Sequence, residues 1–366
     1  MIDSGRRLLI FSHEYPPCLG GVGTIAFEVN RFFQLDSSWD VEVLTSPRSK
    51  IYKSSQLKCT KLPSVFWPIS YFRLFKKSVT MADVIICNDP ASIYNAGRYL
   101  DNKQLQKVIC LVHGEEKYLD EKNTFASIIT FGKFFRRALN GCAKVIWVSS
   151  YIRNMYSKNY AITVNMERSR VINPGVLDVS FDGSKSDRNN VIKFVTVSRI
   201  HKDKGFSHML SVFNSLYSQG FSFQWDIIGD GPYAEELFRL VHGSNIRDKI
   251  RILGRIERHK LGYYFAGCDF YILLSELHES YGLSYLEAAS FGVKPIGYDR
   301  CGVTEVFRYI QNGLLLKDYK NVDSNGYEIL NFVNQSNDLK ASTSRTVKDF
   351  LNEIKMVLDE IVKIDD

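Results

Sequence analysis

The sequence predicts an α/β protein made of two similar halves, each a parallel sheet covered by helices on both faces. Three observations predict it. Short apolar runs alternate with helical patterns from end to end. The alternation pauses once, at the polar stretch 179–190 (VSFDGSKSDRNN). The length, 366 residues, suits two domains at ~100–200 residues each.

In the first half the apolar runs 8–11, 41–44, 84–87, 108–112 and 145–148 read as strands, with helices over 24–34 and 125–139 among them. In the second half strands fit 192–197, 225–228, 250–253, 270–274 and 293–296. Helices fit 206–217, 233–241 and 283–291. The expectation is two Rossmann-like domains, 1–178 and 191–340, facing each other across a cleft. A C-terminal helix within 341–366 is expected to pack back on the first domain.

Composition narrows the class. With 45% hydrophobic and 24% charged residues, the chain is globular rather than disordered, collagenous or coiled coil. No apolar run reaches the ~18 residues of a membrane span. Arg6 and Arg7 precede an apolar stretch too short for a signal peptide, so a cytoplasmic protein is expected. Seven scattered cysteines without a C-x-x-C pair argue against disulfides and structural zinc. Cys87 and Cys110 read as core residues in strands.

The charge is uneven. Residues 1–180 carry 24 Lys+Arg against 15 Asp+Glu, whereas 181–366 carry 23 against 25. No acid occurs between Glu42 and Asp83, or between Glu121 and Glu167. Aromatics are interleaved with the cations, as in Trp67 to Lys77 and Phe131 to Arg137. Amphipathic helices with solvated charges would account for either stretch alone. Two in one half suggest a peripheral contact with an anionic membrane surface. No nucleic-acid-binding motif is present, so no nucleic-acid partner is expected.

Several segments could carry chemistry. Gly20 and Gly21 follow the first strand and open a helix, where backbone N–H groups can approach an anion. The string Gly21-x-Gly23-x-x-Ala26 fits a dinucleotide fingerprint poorly. Nine residues separate it from Phe11, and no acid closes the second strand. In the second half, Arg199 and Lys204 stand five residues apart after a strand, and Gly205 follows. Arg as a fork and Lys as a point charge could clamp a diphosphate. Gly229-Asp230-Gly231 ends the next strand at the sheet edge where ligands of open α/β sheets bind; turn formation alone also explains Asp230.

The stretch Glu279-Ser-Tyr281-Gly282-Leu283-Ser-Tyr-Leu-Glu287 is the most specific. Both carboxylates on one helix would stand ~12 Å apart along its axis, too far to grip one atom. A helix beginning near Gly282 leaves Glu279 on the loop and Glu287 inside the helix. The N–H groups around Tyr281 to Leu283 would then face an anion, with a carboxylate on either side for hydroxyls.

The ordered set resembles retaining GT-B glycosyltransferases of the large GT4-like group, the glycosyl transferases group 1. It comprises Tyr15-Pro-Pro with Gly20-Gly21, His113-Gly114, Val148-Ser149, Asn173-Pro-Gly-Val176, Ser198-Arg199 with Lys204-Gly205, and Ile228-Gly-Asp-Gly-Pro232. Leu253-Gly-Arg255, Glu279-x7-Glu287-Ala288, Gly302-Val-Thr-Glu305 and Asn312-Gly-Leu-Leu315 complete it. The resemblance covers residues 7–320. Ser280-Tyr281 stands where the family often has Gly-Phe, and Cys301 where it has the first of two glycines.

The resemblance implies roles. The first domain would bind the acceptor and the second the nucleotide sugar. Arg199 and Lys204 would neutralise the donor diphosphate, Glu287 would hold the ribose, and Glu279 would face the transferred sugar. Gly229, Asp230, Gly231, Tyr281, Gly282 and Leu283 would line the donor site. Gly20 and Gly21 would close over the phosphates, and His113 would lie near the sugar and acceptor. It implies a hexosyltransferase acting with retention. The donor would be a substrate, with no cofactor and no metal, and the cleft segments lack D-x-D. The expected acceptor is a glycan, lipid-linked at a membrane, in surface polysaccharide or glycoconjugate synthesis. A nucleotide-sugar 2-epimerase or a catalytically silent sugar-binding subunit are the alternatives.

Overall fold

The computed structural model describes residues 5–16, 21–46, 57–59, 67–119, 123–176, 191–336 and 339–365. Gly20, the polar stretch 179–190 and the cations Arg48, Lys50, Lys53 and Lys61 lie outside the described residues. The chain forms two compact units, Met1–Asn173 with Phe350–Asp366, and Pro174–Asp349.

The first unit holds β1 (Arg6–Phe11), β2 (Trp39–Thr45), β3 (Leu57–Cys59), β4 (Val84–Cys87), β5 (Val108–Val112), β6 (Lys144–Trp147) and β7 (Ser169–Val171). They make one sheet in the order β3-β2-β1-β4-β5-β6-β7, parallel throughout. β4 and β5 are buried at every residue. Helices on both faces remove the need for polar alternation, so these strands read as unbroken apolar runs. Cys87, Cys110 and Cys142 are free thiols in this core.

The second unit holds β8 (Ile192–Val197), β9 (Phe223–Ile228), β10 (Ile250–Gly254), β11 (Phe270–Ile272), β12 (Lys294–Tyr298), β13 (Ile310–Gln311), β14 (Leu314–Leu316) and β15 (Ser342–Thr343). Six of them form a parallel sheet in the order β10-β9-β8-β11-β12-β14. β13 and β15 pair antiparallel beside it. Phe194, Phe213, Trp225, Tyr271 and Tyr285 are fully buried in its core. Large rings of this kind supply most of the apolar area that folding removes from water.

One expected helix differs. The run 125–139 is two helices, Thr124–Ile128 and Phe131–Gly141, broken at Thr130, whose φ is 52°. At 100° per residue a continuous helix would put Ala126 about 140° away from Phe131. The break rephases the chain so that Ala126 and Phe131, Phe135, Ala138 and Leu139 are all buried. The Tyr94 hydroxyl holds the break by donating to the Ile129 carbonyl at 3.0 Å.

The last helix is Val347–Asp365. From Phe350 on it belongs to the first unit, where Phe350, Leu351, Ile354, Leu358 and Ile361 are buried. Lys355 donates to Asp36, while Glu360 pairs with Lys144 at 3.0 Å. The hydrogen bond from Lys355, helped by Ser38, pulls the Asp36 carboxyl down to about 2.

Candidate functional site

Each sheet begins in its middle. β1 lies between β2 and β4, and β8 between β9 and β11. Strand order reverses at these two places, so the loops leaving the carboxyl ends diverge and open a crevice.

In the second unit the loops after β8 and β11 are clamped together. The Asp203 carbonyl accepts the N–H groups of Glu276 and Leu277, both at 2.9 Å. Gly205 follows with φ +74°, and a Cβ there would sit 1.9 Å from the Leu274 carbonyl oxygen. This contact requires glycine. The clamp brings together two candidates 75 residues apart: Lys204 Nζ donates to Glu279 Oε1 at 2.5 Å. Their side chains are 18% and 16% exposed, so the pair is largely desolvated yet reachable. Arg199 is exposed on the same loop and has no ion-pair partner among the described residues.

The turn Gly229-Asp230-Gly231 packs against that loop. Ser198 N–H donates to the Ile228 carbonyl and Ile200 N–H to that of Asp230. A Cβ at Gly229 would meet the Ser198 oxygen at 1.9 Å, and one at Gly231 the Ile200 oxygen at 2.2 Å. These glycines therefore have a packing role whatever ligand they face. Asp230 Oδ1 accepts from the Gly231 N–H at 2.7 Å, the local turn contact.

Gly282, at φ +101°, ends the β11 loop and starts the helix Leu283–Ser290. Tyr281 buries its ring in the core, so only its backbone is available to a ligand. Glu287 lies inside the helix as expected and meets Arg258, with side chains 15% and 30% exposed. Burial pushes the Glu287 carboxyl up, and Arg258 opposes the shift. Tyr271 connects the two glutamates. Its hydroxyl donates to Ser284 Oγ at 2.7 Å. Burial raises its pKa, and the nearby charges of Glu279 and Glu287 push it further in the same direction. Both carboxylates thus flank one buried phenol.

In the first unit the reversal point is a polar cluster. Asp89 opens the helix Pro90–Tyr99 with a capping box to Ser92, and its other oxygen accepts the N–H groups of His13 and Glu14. Asn88 donates to Ser12 Oγ and to the Val22 carbonyl, both at 3.0 Å. Its remaining oxygen lies 3.0 Å from His113 Nε2. With the Asn88 amide nitrogen committed as a donor, Nε2 must carry the proton and Nδ1 is left as an acceptor. Burial lowers the His113 pKa to about 4, so the ring is neutral near pH 7. Gly21 opens the helix Gly21–Gln34, and a Cβ there would touch nothing within 4 Å. Asn88, Asp89 and His13 were not singled out from sequence; a polar pair ending a strand reads as an ordinary turn.

The helices Trp67–Ser70, Phe72–Val79, Pro90–Tyr99, Thr124–Ile128 and Phe131–Gly141 of this unit contain no acid. Cations and rings alternate across three of them. Lys76 lies over Phe72, Phe72 against Tyr99, Arg98 over both Tyr99 and Phe134, and Lys133 over Phe134. Arg98 joins the two basic stretches and was missed because it stands alone in sequence. Ile69, Phe72 and Ile128 are 54%, 40% and 76% exposed. Among the described residues no helix is long and apolar enough to cross a membrane.

Residues 181–348 match the model of the family described as Glycosyl transferases group 1. A curated relative is the 2-deoxystreptamine N-acetyl-D-glucosaminyltransferase of Niallia circulans, 29% identical over 37% of this chain and 35% of its own. Another is the GDP-mannose-dependent alpha-(1-6)-phosphatidylinositol monomannoside mannosyltransferase of Mycobacterium tuberculosis, 24% identical over 59% of this chain and 58% of its own. The matches thus span about a third to three-fifths of these relatives' lengths. Among solved structures, Anabaena HepE in complex with UDP-glucose superposes with a TM-score of 0.69 at 13% identity, covering 98% of each chain. The two parallel sheets are those of the GT-B fold. The chain thus has the GT-B fold and, over residues 181–348, is similar to the glycosyl transferases group 1 family.

Proposed function

We propose that this chain transfers a hexose from a nucleotide diphosphate sugar, with retention of configuration, to a glycan acceptor carried on a lipid. The observation that carries the reading is the Lys204–Glu279 contact at the reversal point of the second sheet, with Glu287 on the helix that follows. A cation for a diphosphate and two carboxylates for hydroxyls is the donor set a nucleotide sugar asks for. HepE, a fold neighbour, is solved with UDP-glucose.

Lys204 and exposed Arg199 neutralise the diphosphate as it leaves. Glu279 accepts a hydroxyl of the sugar and Glu287 those of the ribose. The bond from the anomeric carbon to the phosphate oxygen breaks, and the acceptor oxygen bonds to that carbon on the same face. The acceptor proton passes to the departing phosphate. Catalysis is then positioning and charge stabilisation, with the two cations doing what a metal would do, and with no cofactor. Neutral His113 offers Nδ1 to a hydroxyl of sugar or acceptor.

The acid-free, ring-studded helices of the first unit favour an acceptor presented on an anionic membrane surface, met from the cytoplasmic side. The mycobacterial relative is named for a phosphatidylinositol mannoside acceptor. No nucleic acid is a partner in this reading. UDP-, GDP- and ADP-sugars, scored for slow hydrolysis without acceptor, test the donor claim. One nucleotide class should be hydrolysed to the free sugar with its anomeric configuration kept. Release of a 2-epimer instead, or no turnover of any donor, would contradict it.

A further inference from the structure

We propose that Arg258 is a positioning residue of the donor site: its guanidinium holds the Glu287 carboxylate ionised and aimed for the ribose hydroxyls of a nucleoside diphosphate. The inference rests on the reading of Glu287 given above and extends it to a residue outside the family motifs quoted there.

Arg258 opens the short turn Arg258–Lys260 beyond the carboxyl end of β10. It reaches Glu287 across 29 residues of sequence. Glu287 is largely shielded, with 15% of its side chain exposed, and a shielded carboxylate without a cation takes up a proton instead. The neighbouring groups supply no other cation. Tyr271, from β11, is a neutral phenol whose hydroxyl is engaged by Ser284 and by the Val197 carbonyl. Among the described residues Arg258 is the one cation paired with Glu287. Glu257, beside Arg258 in sequence, is turned instead toward His259 and Lys260.

The contact also leaves capacity for a ligand. Arg258 engages Oε1 only, and Oε2 accepts no hydrogen bond among the described residues. A ribose diol needs such an acceptor, oriented and charged. A carboxylate built only to stabilise the fold would be expected to engage both oxygens, as Asp226 does with Arg251 at 2.7 and 2.5 Å.

The test is nucleoside diphosphate binding as a function of pH. UDP, GDP and ADP are titrated by calorimetry into wild type, Arg258→Met, Arg258→Lys and Glu287→Gln across the range from weakly acidic to weakly alkaline. Thermal unfolding checks that each variant is folded, and Arg258→Gln replaces Arg258→Met should the latter fail to fold. Wild type sets the reference pH profile, because its own Glu287 is raised by burial and the terminal phosphate of the nucleotide titrates in the same range. In Arg258→Met, burial acts on Glu287 unopposed, so affinity relative to wild type should fall as pH falls, by up to about tenfold for each unit that separates the two profiles. Arg258→Lys keeps the charge and should restore the wild-type profile. The loss should also shrink for the 2′,3′-dideoxy nucleotide, which lacks the hydroxyls. If Glu287→Gln binds as wild type does, or no nucleotide binds wild type, the site reading itself fails and this inference with it. If Glu287→Gln is weakened while Arg258→Met keeps wild-type affinity, or loses it equally at every pH, the inference alone is overturned.

Discussion

Lys204 and Glu279 neutralise each other in the absence of a ligand. In the proposed donor site, a diphosphate entering beside Lys204 would compete with that carboxylate and free Glu279 for a sugar hydroxyl. On that proposal the contact would tie recognition of the leaving group to recognition of the sugar. His113 shows a different use of burial. Its pKa is lowered to about 4 from an unfolded value near 6.5, so the unfolded chain binds the proton more readily between these values. Stability is then fully present above about pH 6.5 and is lost as pH falls toward 4, by up to about 3 kcal/mol. Urea midpoints at about pH 7 and pH 4.5 should therefore drop further for wild type than for His113→Gln. Equal drops would mean that His113 is not held neutral. His113 could be picked out in the sequence as a histidine ending an apolar strand before a glycine. Its partner Asn88 could not, because nothing local distinguishes an asparagine that orients a distant ring from one that closes a turn.

At the scale of elements, glycine positions were easier to read than the reasons for them. Gly229 and Gly231 suggested close approach to a ligand, and the structure supplies a backbone, that of Ser198 and Ile200, as the thing approached. Cys301 is the converse. It stands where the family has glycine, and its φ is 55°, a left-handed conformation that a side chain disfavours. Cys301→Gly should therefore stabilise the protein by about 1 kcal/mol, read as a rise in the denaturant midpoint with unchanged slope. A fall would show that contacts of the thiol outweigh the backbone strain. The strands were legible because complete burial leaves unbroken apolar runs such as those of β4 and β5. The break at Thr130 was not, since it answers to where Phe131 and Phe135 must pack rather than to a local breaker. Arg258 was hidden for the same kind of reason: its partner is 29 residues away.

At the scale of the whole molecule, the charge asymmetry of the sequence has a structural counterpart in the acid-free helices of the first unit. Exposed Ile69, Phe72 and Ile128 give these helices apolar reach as well as charge. Binding to anionic vesicles should exceed binding to neutral ones at low salt and weaken as salt screens the cations. Phe72→Ala combined with Lys76→Ala should reduce it. Equal binding to both vesicle types would remove the membrane from the account. The fold and the resemblance to a family were readable because the motifs occur in order along 7–320. Donor and acceptor identity were not, because a few contacts decide them.

Lys204 and Glu287 are proposed to hold an activated sugar nucleotide for transfer. The most direct measurement is the rate of donor turnover by Lys204→Ala and Glu287→Ala, each shown to be folded by its unfolding midpoint. Each rate should fall by about 100- to 1,000-fold, the loss typical of removing a group that stabilises developing charge. Near-wild-type rates in both folded variants would contradict it.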